Sequence, residues 1–353
     1  MIESKFLVYE EEISDSFLKT VSAFSNYGKG QIIFGKKDNG KIIGFINPGK
    51  VCLDIENKIN YSIEPKVDFH MEINTETNVI TLTVIEGQHK PYFYNSRAYK
   101  RNDTRSVEIG NYELRRLILE QEDKTFENLP SKNQDLSFKY LESHLKSHIA
   151  IKELTQDILI ALDLFDKEEG FNKAAELLAD KNSFFGIDMV RFGESINIFL
   201  DRETFSGISI LEQFDKALVM YRRYYQYEEI KGLQRVKVEK IPEEAFKMAI
   251  ANALIHRAWD INSHIRVVMY DDLIDIAYLG GLPKGMTKVD YLEGKKSIAR
   301  NPIIGNIFFR LNHIKRFGTG IKRINQAYSQ SQVKPIFKVT GNSINILLPV
   351  MKE

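Results

Sequence analysis

The stretch Phe17-Leu18-Lys19-Thr20-Val21-Ser22-Ala23-Phe24-Ser25-Asn26-Tyr27-Gly28-Lys29-Gly30-Gln31-Ile32-Ile33-Phe34-Gly35 carries two periodicities in succession. Phe17, Leu18, Val21 and Phe24 recur at the spacing of one helix face, with Ser14 or Asp15 placed to cap the helix. Gly28 and Gly30 then permit the backbone a helix end needs, and Gln31-Ile32-Ile33-Phe34 predicts a strand. Lys37-Asp38-Asn39-Gly40 signals a hairpin into a second strand, Lys41-Ile42-Ile43-Gly44-Phe45. Further along, residues 78–84 alternate as a strand, and Tyr92-Phe93-Tyr94 with Ala98-Tyr99-Lys100-Arg101 predicts a closing hairpin. The spacing thus predicts an α/β (α+β) unit over residues 1–116.

Residues 117–240 predict a mixed, mainly helical connecting segment. Helical spacing covers 136–161, 172–180 and 210–225, a strand is expected over 195–200, and the polar run 124–135 reads as a linker. Residues 241–353 open on Ile241-Pro242-Glu243-Glu244, a helix start with proline in its first turn, and that helix is expected to reach about Trp259. Strands are expected over 264–270 and 273–276. A glycine-rich loop spans 279–285, a second, 316–321, enters a helix, and a strand over 343–348 closes the chain. No internal repeat or low-complexity tract interrupts this order.

A length of 353 residues suits about two domains, and 43% hydrophobic with 27% charged residues is an ordinary globular composition that excludes wholesale disorder. No apolar run reaches the roughly 18 residues of a membrane span, and the start is no signal peptide, so a membrane partner is not expected. A single cysteine, Cys52, excludes an intrachain disulfide and a cysteine-based zinc site, and fits a reducing, cytoplasmic setting. The net charge of +1 argues against coating nucleic acid by bulk charge, yet charge is locally uneven. Lys90, Arg97, Lys100, Arg101 and Arg105 face Asp103 alone between residues 89 and 106. Between 284 and 323, ten bases face only Asp290 and Glu293.

The first basic window interleaves cations with Tyr92 and Tyr99. Single-stranded nucleic acid is held by such a pattern, with cations on the backbone and rings against bases, but a strand with buried rings and solvated charges has the same sequence. Asn252 and His256 lie four apart on one helix face, where an amide oxygen suits magnesium and glycine loops approach phosphates. Either residue would serve equally well as a structural hydrogen-bonding group. Gly318-Thr319-Gly320 before a helix would offer backbone N–H groups to phosphate, although it matches neither the phosphate-loop nor the dinucleotide pattern. No nucleophile with a base stands at diagnostic spacing, so no catalytic residue is assigned. The run Glu10-Glu11-Glu12 reads as a solvated approach to the first helix.

Taken in order, these motifs resemble known families. Phe17 to Asn26, Gly30 to Gly35, Asp38 to Gly44, Lys90-Pro91-Tyr92 and Ala98-Tyr99-Lys100-Arg101 closely resemble the AlbA-like domain of the Schlafen type. That resemblance implies a DNA- or RNA-binding domain that uses Lys90, Tyr92, Arg97, Tyr99, Lys100, Arg101 and Arg105. Ala251-Asn252-Ala253-Leu254-Ile255-His256-Arg257, Tyr270 to Ile276, Gly280-Gly281-Leu282-Pro283-Lys284-Gly285, Arg300-Asn301-Pro302 and Gly318-Thr319-Gly320-Ile321 resemble the divergent GHKL-type, helicase-related ATPase domain of bacterial regulators. That implies a Bergerat-type α/β sandwich. Its ATP and magnesium would be held by Asn252 (also the metal ligand), His256, Asp272, Gly280, Gly281, Gly318, Thr319 and Gly320.

Two departures bear on activity. Where the AlbA-like family's Leu-Glu-Phe-Lys motif places a nuclease carboxylate, this chain has Val8 in Leu7-Val8-Tyr9-Glu10. Where GHKL ATPases carry the water-activating acid, one turn before Asn252, it has Met248. The expectation is a cytoplasmic nucleic-acid-binding regulator, a homodimer candidate, with a degenerate, nucleotide-sensing GHKL-like domain. The alternatives are a magnesium-dependent ATPase, a Schlafen-like nuclease, or a scaffold of a defence or mobile-element system.

Overall fold

The structure is a computed structural model that describes residues 3–122, 124–232, 234–283, 285–296, 298–315 and 319–351, with Lys231 described by its backbone alone. The chain divides into two compact units, Met1–Thr125 and Phe126–Glu353.

The N-terminal unit runs β1 (Leu7–Glu10), α1 (Phe17–Tyr27), β2 (Gly30–Phe34), α2 (Pro48–Ser62), β3 (Ile63–Glu64), β4 (Phe69–Asn74), β5 (Val79–Val84), β6 (Phe93–Tyr94), β7 (Arg97–Asn102), β8 (Arg105–Glu108) and α3 (Asn111–Gln121). One sheet has the order β1-β2-β5-β4, with β1 parallel to β2 and the other pairs antiparallel; the second has the order β3-β6-β7-β8. Phe17, Leu18, Val21 and Phe24 are all buried against Ile32, Phe34 and Leu82, as the helical spacing requires. A Cβ on Gly30 would lie 2.3 Å from the Phe24 ring, so the glycine is what lets that ring cover the start of β2.

Two expectations here are corrected. Residues 41–45 form no strand. The turn is present, with Lys37 N–H donating to Lys41 O at 2.9 Å, but Ile43 N–H returns to Gly35 O and only an isolated bridge joins Lys36 to Ile42. Helix α2 was missed, although its signals are in the sequence: Asn47 caps it by accepting the Lys50 N–H, Pro48 opens it, and Ile55 and Ile59 recur four apart.

The second unit begins with a short 3-10 turn, Phe126–Asn128. It continues α4 (Lys139–Ile149), α5 (Gln156–Ala161), β9 (Phe165–Asp166), β10 (Gly170–Phe171), α6 (Lys173–Leu178), β11 (Ile187–Phe192), β12 (Phe199–Phe205), α7 (Ile210–Tyr225), β13 (Gln226–Lys231) and β14 (Gln234–Glu239). Then come α8 (Glu243–His256), β15 (Ile265–Met269), β16 (Leu273–Leu279), α9 (Lys288–Glu293), α10 (Pro302–Arg310), α11 (Gly320–Ala327), β17 (Ile336–Val339) and β18 (Ser343–Pro349). The central sheet has the order β12-β11-β15-β16-β18-β17, parallel only between β11 and β15.

Burial alternates along β11, β16 and β18, so one face of this sheet packs inward while the other is half-exposed. Helices α7 and α8 bury their apolar residues in the same core as the inward positions of β11, β15, β16 and β18. The result is an α+β sandwich. Residues 126–240 are therefore not a connecting segment: β11 and β12 belong to the same sheet as the C-terminal strands. Residues 126–128 are no linker either, because Glu127 is fully buried. The helix expected over 136–161 is two helices broken at the left-handed residue Ala150, whereas α7 falls on 210–225 as read.

Candidate nucleic-acid face and nucleotide pocket

In the N-terminal unit the closing motif is held by α1. Asn26, fully buried, accepts the Tyr92 N–H at 2.7 Å and donates to Tyr92 O at 2.9 Å, so its amide pairs with that peptide as a strand would. Ser22 donates to the same carbonyl at 2.8 Å. The Tyr92 ring lies over Gly87, where a Cβ would meet it at 2.2 Å. Tyr92 and Tyr99 are core residues, as are most of the Lys90 and Arg101 side chains, and Lys90 pairs with Glu86. These four are thus placed in the fold and not on a face open to bases.

Strand alternation separates the rest. Tyr99 and Arg101 share a face with Ser106, which bonds Thr20 of α1 at 2.9 Å. Lys100 points the other way and donates to Glu113 of α3 at 2.7 Å. Arg97 is exposed and paired with Glu108 at 3.1 Å, and Arg105 is exposed at the hairpin end. The cations of this stretch that reach solvent are therefore Arg97, on the Tyr99 face beside Glu108, and Arg105, opposite Asn102 on the other face, where Lys100 is half-buried.

The opposite end of Arg101 is charged. Burial lowers its pKa, and Glu3 and Glu10 oppose that fall; its Nε and Nη2 have no partner among the described residues. Glu10 ends β1 and is half-buried, in place of the solvated helix approach expected for it. Burial, then Glu3 and Asp38, pushes its pKa up to about 7, against the pull of Ser16 and Arg101. Val8, at the position of the family carboxylate, is buried in the core and offers no ligand. Among the described residues no group of three or more His, Cys, Asp or Glu could hold a metal ion.

In the second unit, Asn252 and His256 share a face of α8 and line one pocket with Lys296 and Gly320. A Cβ on Gly320 would lie 2.8 Å from the Asn252 amide atoms, so glycine allows the start of α11 to rest on Asn252. His256 is held neutral: burial, then the neighbouring Arg300, pushes its pKa down to about 4. Lys296 donates to Gly285 O at 3.1 Å and lies 3.5 Å from Asp290. Thr319 stands at the N-terminal boundary of α11 without a side-chain capping bond, and Gly318 lies outside the described residues.

The other expected nucleotide residues are elsewhere. Asp272 is exposed at the start of β16, while Gly280 follows its end, about 25 Å away at strand rise. A Cβ on Gly281 would meet Gly341 O at 2.0 Å, and one on Gly280 would meet Ala258 N at 2.8 Å. Both positions therefore need glycine for close backbone packing. The motif at 300–302 is also structural. Arg300 donates to His256 O at 3.1 Å, and Asn301 donates to Ile255 O at 2.8 Å and Arg257 O at 2.9 Å, closing the C-terminus of α8.

Asn252 and Lys296 fit the phosphate end of a nucleotide, with the amide oxygen a hard donor for magnesium. Room is the constraint. The space beside them is about 50 Å³, against roughly 300–1,000 Å³ for small-molecule sites. Met248, buried one turn before Asn252, supplies no base.

Comparison with known proteins places both units. Residues 1–110 match the family model "Schlafen, AlbA_2". Residues 262–348 match a model described as "Putative ATP-dependent DNA helicase recG C-terminal", a span that begins after α8 and so leaves Asn252 outside it. A protein of known crystal structure from Corynebacterium diphtheriae shares the fold, with 21% identity and a TM-score of 0.56 over 99% of this chain and 76% of its own. The N-terminal domain of a RecG-related protein from Nitrosomonas europaea matches 30% of this chain, with 79% of its own covered, at 18% identity and a TM-score of 0.22. No curated protein matches the chain. Among the described residues no helix is long and apolar enough to cross a membrane.

Proposed function

We propose, from an AlbA_2-type N-terminal domain joined to a RecG-type ATPase-like one, that this protein binds DNA or RNA and that its second unit responds to nucleotide without hydrolysing it. The observation that carries the nucleic-acid reading is the exposure of Arg97 and Arg105, one at each end of β7, on a hairpin whose aromatic residues are buried. Contact is then through phosphates, and the rings serve the fold. Such binding releases counterions and weakens steeply with salt. Anisotropy titrations with single- and double-stranded DNA and RNA test it. The expected result is binding at low salt that falls with added salt and is weakened in an Arg97→Ala, Lys100→Ala, Arg105→Ala protein; no binding to any of them at low salt overturns the reading.

The nucleotide reading rests on Asn252, Lys296 and Gly320 meeting at one pocket. Absence of turnover rests on Met248, since general base catalysis supplies about 10²–10⁴-fold. Calorimetric titration with ATP and magnesium, wild type against Asn252→Ala, is expected to show binding that the variant loses and no phosphate release. A second reading, in which this unit is a purely structural or dimerising scaffold, is favoured by the small volume at Asn252, and absence of ATP binding would select it. A cytoplasmic, homodimeric regulator remains our reading of the whole chain; the nuclease alternative loses its support at Val8.

A further inference from the structure

The sheet β1-β2-β5-β4 of the N-terminal unit ends differently at its two edges. At β1 the outward N–H groups of Leu7 and Tyr9 are taken by Ser4 O at 3.3 Å and Glu3 Oε1 at 2.8 Å. The edge at β4 is left open. Asp68 O accepts the Ile85 N–H at 2.9 Å, so in this antiparallel register the peptides of residues 68, 70, 72 and 74 turn to β5. Those of Phe69, Met71 and Ile73 turn outward, where none of the described strands pairs with them. Strand β4 carries no proline, lysine or bulge, the devices that usually blunt an edge.

The side chains along this edge are apolar on one face and ionisable on the other. Phe69 and Met71 pack against the core, and Ile73, 40% exposed, continues their row towards solvent. Beside that row a groove of about 620 Å³ separates the edge from α2, where Cys52, Glu56 and Asn60 line it. Leu53 and Tyr61, one position further round the helix, are exposed apolar residues. On the other face of β4, His70 and Glu72 are exposed and lie 4.0 Å apart.

This edge is complementary to itself. Two antiparallel copies of β4 about a two-fold axis at Met71 set Phe69 against Ile73 of the second copy, and Met71 against its counterpart. Every such pair joins two outward peptides, so both of its N–H···O bonds can form. The same register places His70 opposite Glu72 of the second copy, and Glu72 opposite its His70. The neighbouring registers with the same hydrogen-bond parity set Glu72 against Glu72 or against Asp68, and like charges directly opposite are unfavourable. Both α2 helices then lie on one side of the joined sheet, and the second copy's apolar row enters the groove.

We propose that β4 is a dimer interface, where a second copy of this chain adds its own β4 in the antiparallel register centred on Met71. The proposal rests on the homodimer reading above and gives that dimer its contact surface. A second copy fits better than a foreign strand because the outward peptides and the His70–Glu72 pattern complement themselves.

The test is sedimentation equilibrium of the full chain over a range of concentrations, with wild type expected to dimerise. Ile73→Pro removes an outward N–H and leaves the bonds to β5 in place, a position where an edge strand tolerates proline. It should weaken the dimer by at least about tenfold, since two hydrogen bonds are lost per dimer. Far-UV circular dichroism at concentrations where both proteins are monomeric separates lost pairing from lost fold. Glu72→Lys sets lysine opposite His70 of the second copy and should weaken the dimer by about tenfold; adding His70→Glu should restore it, with the pairs reversed in sign. Wild type that stays monomeric at every concentration overturns the homodimer reading and this interface with it. A dimer that survives both Ile73→Pro and Glu72→Lys overturns the interface alone and leaves the homodimer reading standing. Failure of His70→Glu to rescue Glu72→Lys overturns the register centred on Met71.

Discussion

The Glu127 carboxylate accepts the Ile303 N–H at 2.6 Å and the Ile304 N–H at 3.1 Å, capping helix α10 from 176 residues earlier in the chain. The first N–H groups of a helix have no partner within it, and the side chain of Asn301, which stands at the cap position, is engaged by Ile255 and Arg257. Glu127 takes its place, helped by the positive end of the helix dipole. Glu127→Ala is expected to destabilise the second unit by about 2–3 kcal/mol, because two buried donors lose their acceptor. Glu127→Gln, which retains one amide oxygen, should lose less. Urea unfolding followed by Trp259 fluorescence measures both, and an unchanged midpoint for the alanine variant would refute the cap.

That carboxylate sits in a stretch whose Asn, Pro and Ser content reads as a linker, and the misreading has a physical cause. Composition reports local backbone preference, while the role of Glu127 is set by a helix far along the chain. Helix α7 was legible because Leu211, Phe214, Leu218 and Tyr221 repeat a local period. Lys41 to Phe45 was misread because a real turn at Asn39-Gly40 leads to residues with no partner strand. The expected nucleotide residues divide along the same line. Asp272 and Gly280 are close in sequence, but β16 holds them at opposite ends of a strand, whereas Asn252 and Gly320 are distant in sequence and touch.

The contact between Gly320 and Asn252 makes its own prediction. A methyl group at residue 320 would lie 2.8 Å from both amide atoms of Asn252, so α11 must shift or the amide must rotate away. Gly320→Ala is expected to cost about 1–3 kcal/mol, the usual scale of overpacking. Gly341→Ala, where nothing lies within 4 Å of the added carbon, should stay within about 0.5 kcal/mol of wild type. Denaturant midpoints compare the two, and equal values would mean that α11 does not rest on Asn252 in solution.

Glu10 predicts how the N-terminal unit responds to pH. Its folded pKa of about 7 lies above the ordinary 4.5, raised by burial and by Glu3 and Asp38 and opposed by Ser16 and Arg101. Between those values the folded state holds more protons than the unfolded one, so this contribution to stability is fully present below about pH 4.5 and is lost as pH rises towards 7. Hydrogen-exchange protection of the β1–β2 ladder should therefore fall from pH 5 to pH 8, after correction for intrinsic exchange. Glu10→Gln should flatten that dependence; a variant with the wild-type slope would assign the effect to another group.

Tyr92 and Arg105 separate the two roles carried by one basic, aromatic stretch. Tyr92 is buried, its peptide clamped by Asn26 and its ring over Gly87, so Tyr92→Ala should destabilise the N-terminal unit by about 3–5 kcal/mol. Arg105 is exposed at the end of β7–β8, so Arg105→Ala should leave stability within about 0.5 kcal/mol. On nucleic acid the order reverses at temperatures where both proteins are folded. Arg105→Ala should weaken binding to every sequence about equally and reduce the slope of log affinity against log salt by about one, as loss of one phosphate contact requires. Tyr92→Ala should leave that slope unchanged. A steeper loss of affinity for Tyr92→Ala than for Arg105→Ala, with the fold intact, would mean that the ring leaves the core to stack on a base and would move the binding face from the hairpin edge to the surface of α1.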